Sequence, residues 1–107
     1  MFDVRIVESV VAYVDQLVRQ GRAAEAASIE HYARLLARFG SDLHRPYAVR
    51  IDRENGIHEL RAGNHRVAYV RRGETYFLLH AWRKTTRKLD QKQLKRAQRA
   101  LDRLTTD

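Results

Sequence analysis

The sequence contains no cysteine, a single proline and no long hydrophobic run. Without thiols the chain has no disulfide framework and no thiolate metal site, so nothing in it requires an oxidising compartment. No segment approaches the roughly 20 apolar residues of a membrane span, and the N-terminus lacks the apolar stretch of a signal peptide. We therefore expect a cytoplasmic protein that makes no contact with a membrane.

Internal repeats, low-complexity tracts and linkers are also absent from the sequence. The 107 residues are 44% hydrophobic, which is enough for a folded core and too much for a disordered chain. Because no break in composition divides the chain, we expect one domain over residues 1–107.

Positive charge exceeds negative charge only in the second part of the chain. Residues 1–43 hold five Arg and six Asp or Glu, whereas residues 44–107 hold sixteen Lys or Arg and seven acids. The whole net charge of +8 therefore comes from the second part. Such one-sided charge attracts polyanions, RNA or an acidic protein, and a basic surface that only keeps the protein soluble is the alternative. Arg outnumbers Lys 17 to 4, and the planar guanidinium fork suits phosphate.

The spacing of the apolar residues predicts an α+β fold. The expected strands span residues 2–7, 47–51, 57–62, 65–71 and 75–82, and the expected helices span residues 8–20, 22–39 and 90–104. Gly40 stops the second helix, and Asp90 is the expected N-cap of the third. The order β-α-α-β-β-β-β-α implies an N-terminal strand and a helical hairpin packed on a mainly antiparallel β-meander, with a closing C-terminal helix.

The turn at Gly63 and Asn64 makes two arginines face each other. A hairpin loop of two or of four residues at this point pairs Arg61 with Arg66 across neighbouring strands, where like charges destabilise a sheet. Glu59 lies on the same face and is a candidate counter-ion. The pair is either part of a salt-bridged sheet surface or a clamp for phosphate, and the sequence leaves both alternatives open.

Cleavage of RNA through its own 2′-hydroxyl needs a base, an acid and cations around the phosphate. Arg61, Arg66 and Lys84 are the candidate catalytic cations, because the last strand is expected to end beside the hairpin. Lys84, His80 and Glu59 are candidates for proton transfer. The alternation of side chains predicts that His80, like His65, faces away from Arg61 and towards the helices. Both histidines are more typical of hydrogen-bonded, partly buried groups than of catalytic bases.

The segment after the last strand is the most basic part of the chain. Residues 83–99 hold eight basic residues and one acid. We expect RNA contacts from side chains in this segment and directly before it, namely Arg83, Arg87, Lys88, Lys92 and Trp82. The Trp82 ring either stacks on a base or anchors the last helix on the sheet. No metal-ligand spacing, glycine-rich phosphate loop or Ser/His/Asp grouping occurs, so we expect no metal and no cofactor.

Three motifs follow one another in the second part of the chain: GIHELR at residues 56–61, NHRVAY at residues 64–69 and LLHAWRKT at residues 78–85. Together they resemble the RelE/ParE toxin superfamily, and its HigB-like branch of phage-derived host-inhibition proteins most closely. The resemblance implies a RelE/ParE-like fold and a toxin of a type II toxin–antitoxin system that cleaves mRNA, often on the translating ribosome. It also implies neutralisation by a helix-turn-helix antitoxin, with DNA reached only through that antitoxin.

The resemblance places the phosphate-facing arginines of the family on Arg61 and Arg66, and its basic residue after the last strand on Lys84. The sequence departs from the branch in having Ala81 where glycine is common, Arg83 where a second lysine is common, and Asp90 in place of a proline. The C-terminal tyrosine of some RNA-cleaving relatives has no counterpart. The missing tyrosine favours a non-catalytic RNA- or antitoxin-binding module as one alternative to an endoribonuclease. Resemblance to the ParE branch allows a gyrase-targeting toxin as the other.

Overall fold

The computed structural model describes residues 1–106, with side chains up to residue 105. The strands are β1 (Asp3–Ile6), β2 (Ala48–Asp52), β3 (Ile57–Ala62), β4 (His65–Arg72) and β5 (Thr75–Arg83). The helices are α1 (Glu8–Arg19), α2 (Ala23–Phe39) and α3 (Gln91–Thr106), with a short 3-10 turn at Gly40–Asp42. The predicted α+β order is confirmed, and Asp107 of the expected domain lies outside the described residues.

The five strands form one sheet in the order β1-β5-β4-β3-β2. Strands β2 to β5 form an antiparallel meander, because each is joined to the next by a short turn, and β1 adds to β5 in parallel. The predicted mainly antiparallel sheet is therefore confirmed. The strand β5 carries an irregularity where the register shifts between Ala68 and Tyr69 of β4.

Each face of the sheet is covered by helix. The first core layer joins α1 and α2 to one face through buried residues that include Val10, Leu17, Ile29, Leu36, Leu60, Val67 and Leu78. The second layer joins α3 to the other face through Ile57, Ala68, Val70, Leu79, Trp82, Ala97, Ala100 and Leu101. Because both faces are buried at the centre, β4 is apolar on both sides there, and polar side chains are confined to the sheet ends.

Two local features of the chain fix the helix ends. Gly40 adopts a φ of 55°, and a Cβ atom at this position would collide with the Phe2 ring, so only glycine fits after α2. At the start of α3, the Asp90 carboxylate accepts a hydrogen bond from the Lys92 backbone N–H at 3.0 Å. The predicted N-cap is thereby confirmed.

Among the described residues, no helix is both long and apolar enough to cross a membrane.

Candidate functional site

The β3–β4 hairpin pairs the two arginines as the sequence predicts. Arg61 is directly opposite Arg66, and Ala62 is opposite His65, on either side of the turn at Gly63. Gly63 has a φ of 62°, the left-handed conformation that a tight hairpin turn requires. Both guanidinium groups lie on the α3 face of the sheet, at the end where that helix no longer covers it.

One carboxylate separates the two guanidinium groups. Glu59 Oε2 lies 3.1 Å from Arg61 Nε and 3.9 Å from Arg66 Nε, and the Glu59 residue is only 7% exposed. The salt-bridged arrangement, one of the two alternatives that the sequence leaves open, is therefore present. Two cations share one anion, so the cluster keeps a net positive charge of one that a phosphate group can use.

Arg66 is held more tightly than Arg61. Its Nη1 donates hydrogen bonds to the Gly63 carbonyl at 2.7 Å and to the His65 carbonyl at 3.0 Å. Burial lowers the pKa of Arg66; the Glu59 carboxylate opposes that shift and the Arg61 charge adds to it. An arginine pKa starts so high that the group stays charged at neutral pH. Arg66 is thus a fixed, partly desolvated cation whose position the hairpin turn sets.

A small pocket opens over this cluster. Its volume is about 90 Å³, and its walls are the hairpin residues Glu59, Arg61 and Arg66, the Trp82 edge and the segment from Lys84 to Asp90. The Lys84 backbone N–H donates to the Asn64 carbonyl at 2.7 Å, which fixes the start of that segment against the hairpin. The three predicted catalytic cations, Arg61, Arg66 and Lys84, therefore line one pocket, together with the candidate proton-transfer group Glu59.

The predicted RNA-binding cations divide into separate places. Arg87 and Lys88 line the pocket. Lys92 lies on the exposed first turn of α3, beyond the pocket. Arg83 is on the opposite face of the sheet, because it pairs with His65, and its Nη1 lies 3.4 Å from Glu25 Oε1. Arg83 therefore does not line the pocket, and its expected contact with RNA stays a prediction.

Trp82 is the anchor between the sheet and α3. The residue is 7% exposed and packs with Ala97, Ala100 and Leu101. Of the two roles that the sequence allows, the structure shows the anchoring one. Little of the ring is left to stack on a base, and what remains accessible forms one edge of the pocket.

The predicted direction of His80 is wrong. Because Arg66 pairs with Trp82, His80 lies on the same face as Arg66, and its ring stacks on Trp82 at 5.5 Å between centroids. The His80 Nε2 atom is 2.6 Å from Gln93 Oε1 of α3. Burial lowers its pKa, with the Gln93 bond opposing and the Arg96 charge adding to the shift. Trp82 and α3 separate His80 from the pocket, so its assignment to proton transfer lacks geometric support.

A polar network that the sequence did not reveal lies on the other face. His65 is 2% exposed, with Nδ1 2.7 Å from the Tyr13 hydroxyl and Nε2 2.7 Å from Glu25 Oε1. The expectation that His65 is a buried, hydrogen-bonded histidine facing the helices is confirmed. Its partners are 52 and 40 residues away in sequence, so no local pattern indicates them.

No group of three or more potential metal ligands occurs among residues 1–106. The basic side chains that line the pocket are Arg61, Arg66, Lys84, Arg87 and Lys88.

The chain is a small α+β protein with a basic pocket at one end of its sheet, and its fold is compatible with a RelE-like fold. Residues 15–102 match the family of phage-derived Gp49-like proteins (DUF891), and the chain belongs to that family. The family is associated with toxins of toxin–antitoxin systems of the RelE/HigB type, which implies an antitoxin partner. No curated protein sequence matches the chain.

Proposed function

We propose that the chain is a toxin of a type II toxin–antitoxin system and acts as an endoribonuclease on translated mRNA in the cytoplasm. A helix-turn-helix antitoxin neutralises it. The observation that carries the proposal is the Arg61–Glu59–Arg66 cluster in a pocket whose other wall is the basic segment beginning at Lys84. Family membership supports the toxin assignment, and the pocket chemistry supports RNA as the target.

The cluster contains the groups that transesterification of RNA needs. When a phosphodiester enters, its non-bridging oxygens compete with Glu59 for the guanidinium groups of Arg61 and Arg66. The carboxylate that is released then accepts the proton of the 2′-hydroxyl. The 2′ oxygen forms a bond to phosphorus, the bond from phosphorus to the 5′ oxygen breaks, and the Lys84 ammonium gives a proton to that leaving oxygen.

The two arginines make the largest contribution in this mechanism. Negative charge grows on the phosphoryl oxygens in the transition state, and fixed cations stabilise it without reorganising. Arg66 fits this role because the Gly63 and His65 carbonyls hold its Nη1 before any substrate arrives. Since side chains supply the charge, the proposed reaction needs no metal ion.

A second candidate is a module that binds RNA or its antitoxin without cutting. The observation in its favour is that Glu59 already forms ion pairs with both arginines, as a purely structural surface would. The two candidates differ in one respect: a Glu59→Gln change abolishes a reaction that uses the carboxylate as a base, but it leaves or strengthens simple binding of RNA.

The test is induction of the chain without antitoxin in growing bacteria, with mapping of transcript ends. We expect growth arrest and new internal 5′ ends from the wild type and from Arg19→Gln, whose side chain is exposed at the end of α1. Glu59→Gln should produce neither. Growth arrest with intact transcripts and a DNA-damage response would instead indicate a gyrase-targeting toxin. RNA binding without cleavage would indicate the non-catalytic module.

A further inference from the structure

An apolar groove lies on the α1/α2 face of the sheet, opposite to the face that carries the basic pocket. Its volume is about 430 Å³. Val4 and Ile6 of β1 and Leu78 of β5 form its floor, and the first half of α1 and the second half of α2 form its walls. Because β1 is an outer strand, the helical hairpin leaves this edge of the sheet incompletely covered.

The groove exposes apolar side chains that adjoin one another. Ile6 is 44% exposed and Val11 is 43% exposed. Val4 and Val14 beside them are half-buried. A single exposed aliphatic residue is common on a protein surface, whereas a contiguous apolar patch marks a surface that binds a partner. All four residues line the same groove, so they form such a patch.

The rim of the groove carries unpaired charge. Asp15 of α1 and Glu30 of α2 line the groove and are exposed, and neither has an ion pair among the side chains that the structure describes. Arg34 is the basic residue of the rim, so the three charged side chains there leave one negative charge in excess. Such a rim repels phosphate. Opposite charge across an interface selects the partner, so the rim favours a protein segment with Lys or Arg beside its apolar residues.

The start of β1 decides between an added strand and a helix as the bound segment. A strand pairs with a free sheet edge, whereas a helix lays its apolar stripe into a groove. The Phe2 backbone N–H donates to the Ala37 carbonyl at 2.7 Å, so the end of α2 already occupies the edge where a strand would enter. Along α2 the groove runs from residue 29 to residue 37, which is about 12 Å or roughly two helical turns. The groove therefore suits a helix whose apolar stripe is about two turns long.

A second copy of the chain does not supply this helix. Within the described residues, α1 and α2 pack their apolar stripes into the first core layer, and α3 packs its stripe into the second. None of these helices is available to a neighbour unless the fold opens. The bound helix therefore belongs to a different protein, and the family implies one such partner, the antitoxin.

We propose that the groove is the docking site for an amphipathic helix of the antitoxin. Aliphatic side chains of that helix fill the space above Ile6 and Val11, and Lys or Arg residues beside its apolar stripe pair with Asp15 and Glu30. The proposal rests on the antitoxin partner of the proposed function and is independent of whether the basic pocket cleaves RNA. Since the groove and the pocket lie on opposite faces of the sheet, changes in the groove leave the pocket intact.

The test is expression of the chain in growing bacteria, alone and together with the protein encoded by the adjacent reading frame. We expect wild type and Val11→Asp to arrest growth equally when expressed alone, which shows that the variant folds. The adjacent protein should rescue growth from wild type but not from Val11→Asp. Its affinity for the purified Val11→Asp chain should be at least about tenfold lower than for wild type, because the variant buries an unpaired charge in the apolar contact.

Val18→Asp is the matched control. Val18 is on the same helix and is 52% exposed, but it does not line the groove, so this variant should be rescued and bound like wild type. A chain with both Asp15→Lys and Glu30→Lys should bind about tenfold more weakly, because both rim charges are reversed. Rescue and binding of Val11→Asp at the wild-type level overturn the groove proposal alone. Growth arrest that the adjacent protein does not relieve overturns the antitoxin assignment, and the groove proposal with it.

Discussion

His65 and Arg66 are neighbours on β4, yet their side chains enter opposite and very different surroundings. On the His65 side, both ring nitrogens are partnered, by Tyr13 and by Glu25. On the Arg66 side, two guanidinium groups share one carboxylate and line an open pocket. A polar cluster whose hydrogen bonds are complete holds the fold together. A cluster with spare charge facing solvent is able to bind a ligand.

The His65 cluster also helps to fix the position of the Arg66 side chain. The lowered pKa of Glu25, caused first by its hydrogen bond to His65, keeps that carboxylate ionised. An ionised carboxylate only accepts, so Nε2 of His65 carries a proton and donates to Glu25; in the neutral imidazole Nδ1 then accepts from the Tyr13 hydroxyl. The network joins α1 and α2 to the first residue of β4. The carbonyl of that same residue accepts a hydrogen bond from Arg66.

The largest expected effect concerns the open side, that is, the Arg66 cluster and its pocket. Arg66→Ala should reduce cleavage of mRNA at least about 100-fold, because it removes a fixed cation from the transition state. Arg66→Lys should restore only part of the activity, since an ammonium cannot contact the phosphate through two nitrogens. The measurement is the rate of transcript cleavage by a variant protein whose circular dichroism spectrum matches that of the wild type. An Arg66→Ala protein that cleaves at the wild-type rate excludes a role for this residue in the reaction.

Changes on the closed side, that is, in the His65 cluster, should affect the stability of the fold instead. His65→Ala should lower the free energy of unfolding by about 3 kcal/mol, because it opens a cavity and leaves Tyr13 and Glu25 without their partner. Chemical denaturation measures this. A loss below about 1 kcal/mol would show that the network does not hold the helical hairpin to the sheet.

A change at Arg61 separates binding from folding. The Arg61 side chain is 36% exposed and Arg66 remains as a partner of the buried Glu59 carboxylate, so Arg61→Gln should lower the melting temperature only modestly. The dependence of log RNA affinity on log salt concentration should become shallower by about one unit, because one phosphate contact is lost. An unchanged slope would place the RNA away from the hairpin.

Tyr13→Phe is a smaller test of the closed side. It removes one hydroxyl and leaves His65 Nδ1 without its donor, which should cost about 1 kcal/mol of unfolding free energy. RNA cleavage by the folded variant should stay within about twofold of wild type, since no step of the proposed reaction uses Tyr13. A large loss of cleavage in a stable Tyr13→Phe protein would contradict the division of roles between the two sides.

The smallest effect is one of pH. The pKa of Glu25 in the folded protein lies below its ordinary value of 4.5, so the carboxylate stabilises the fold above that pH. The contribution is lost as the pH falls through the lowered pKa. Glu25→Gln should therefore be less stable than wild type at neutral pH, and the difference should shrink in acid. Denaturation at several pH values checks this. A stability difference between wild type and Glu25→Gln that grows in acid would contradict the expectation.

The sequence predicts the open side better than the closed side. The turn at Gly63 and Asn64 sets the register of a local hairpin, so the pairing of Arg61 with Arg66 and the position of Glu59 follow from nearby residues. The Tyr13 and Glu25 contacts depend on how α1 and α2 pack on the sheet. Such packing is decided by the whole core and leaves no signal in local spacing.

The error in the face predicted for His80 has a physical cause. Side chains alternate along a strand, so an error of one residue in the expected pairing of β5 with β4 moves every β5 side chain to the other face of the sheet. The observed pairs, His65 with Arg83 and Arg66 with Trp82, put Arg83 beside Glu25 and His80 beneath α3. The sequence shows that β5 follows β4, but tertiary packing sets which face each residue occupies.

The most direct test of the central claim compares transcript ends after induction of wild type, Arg66→Ala and Arg19→Gln. The account predicts new internal 5′ ends with wild type and with Arg19→Gln, and none with a soluble, folded Arg66→Ala. New ends at wild-type frequency with Arg66→Ala would contradict it, because the pocket would then not be where RNA is cut.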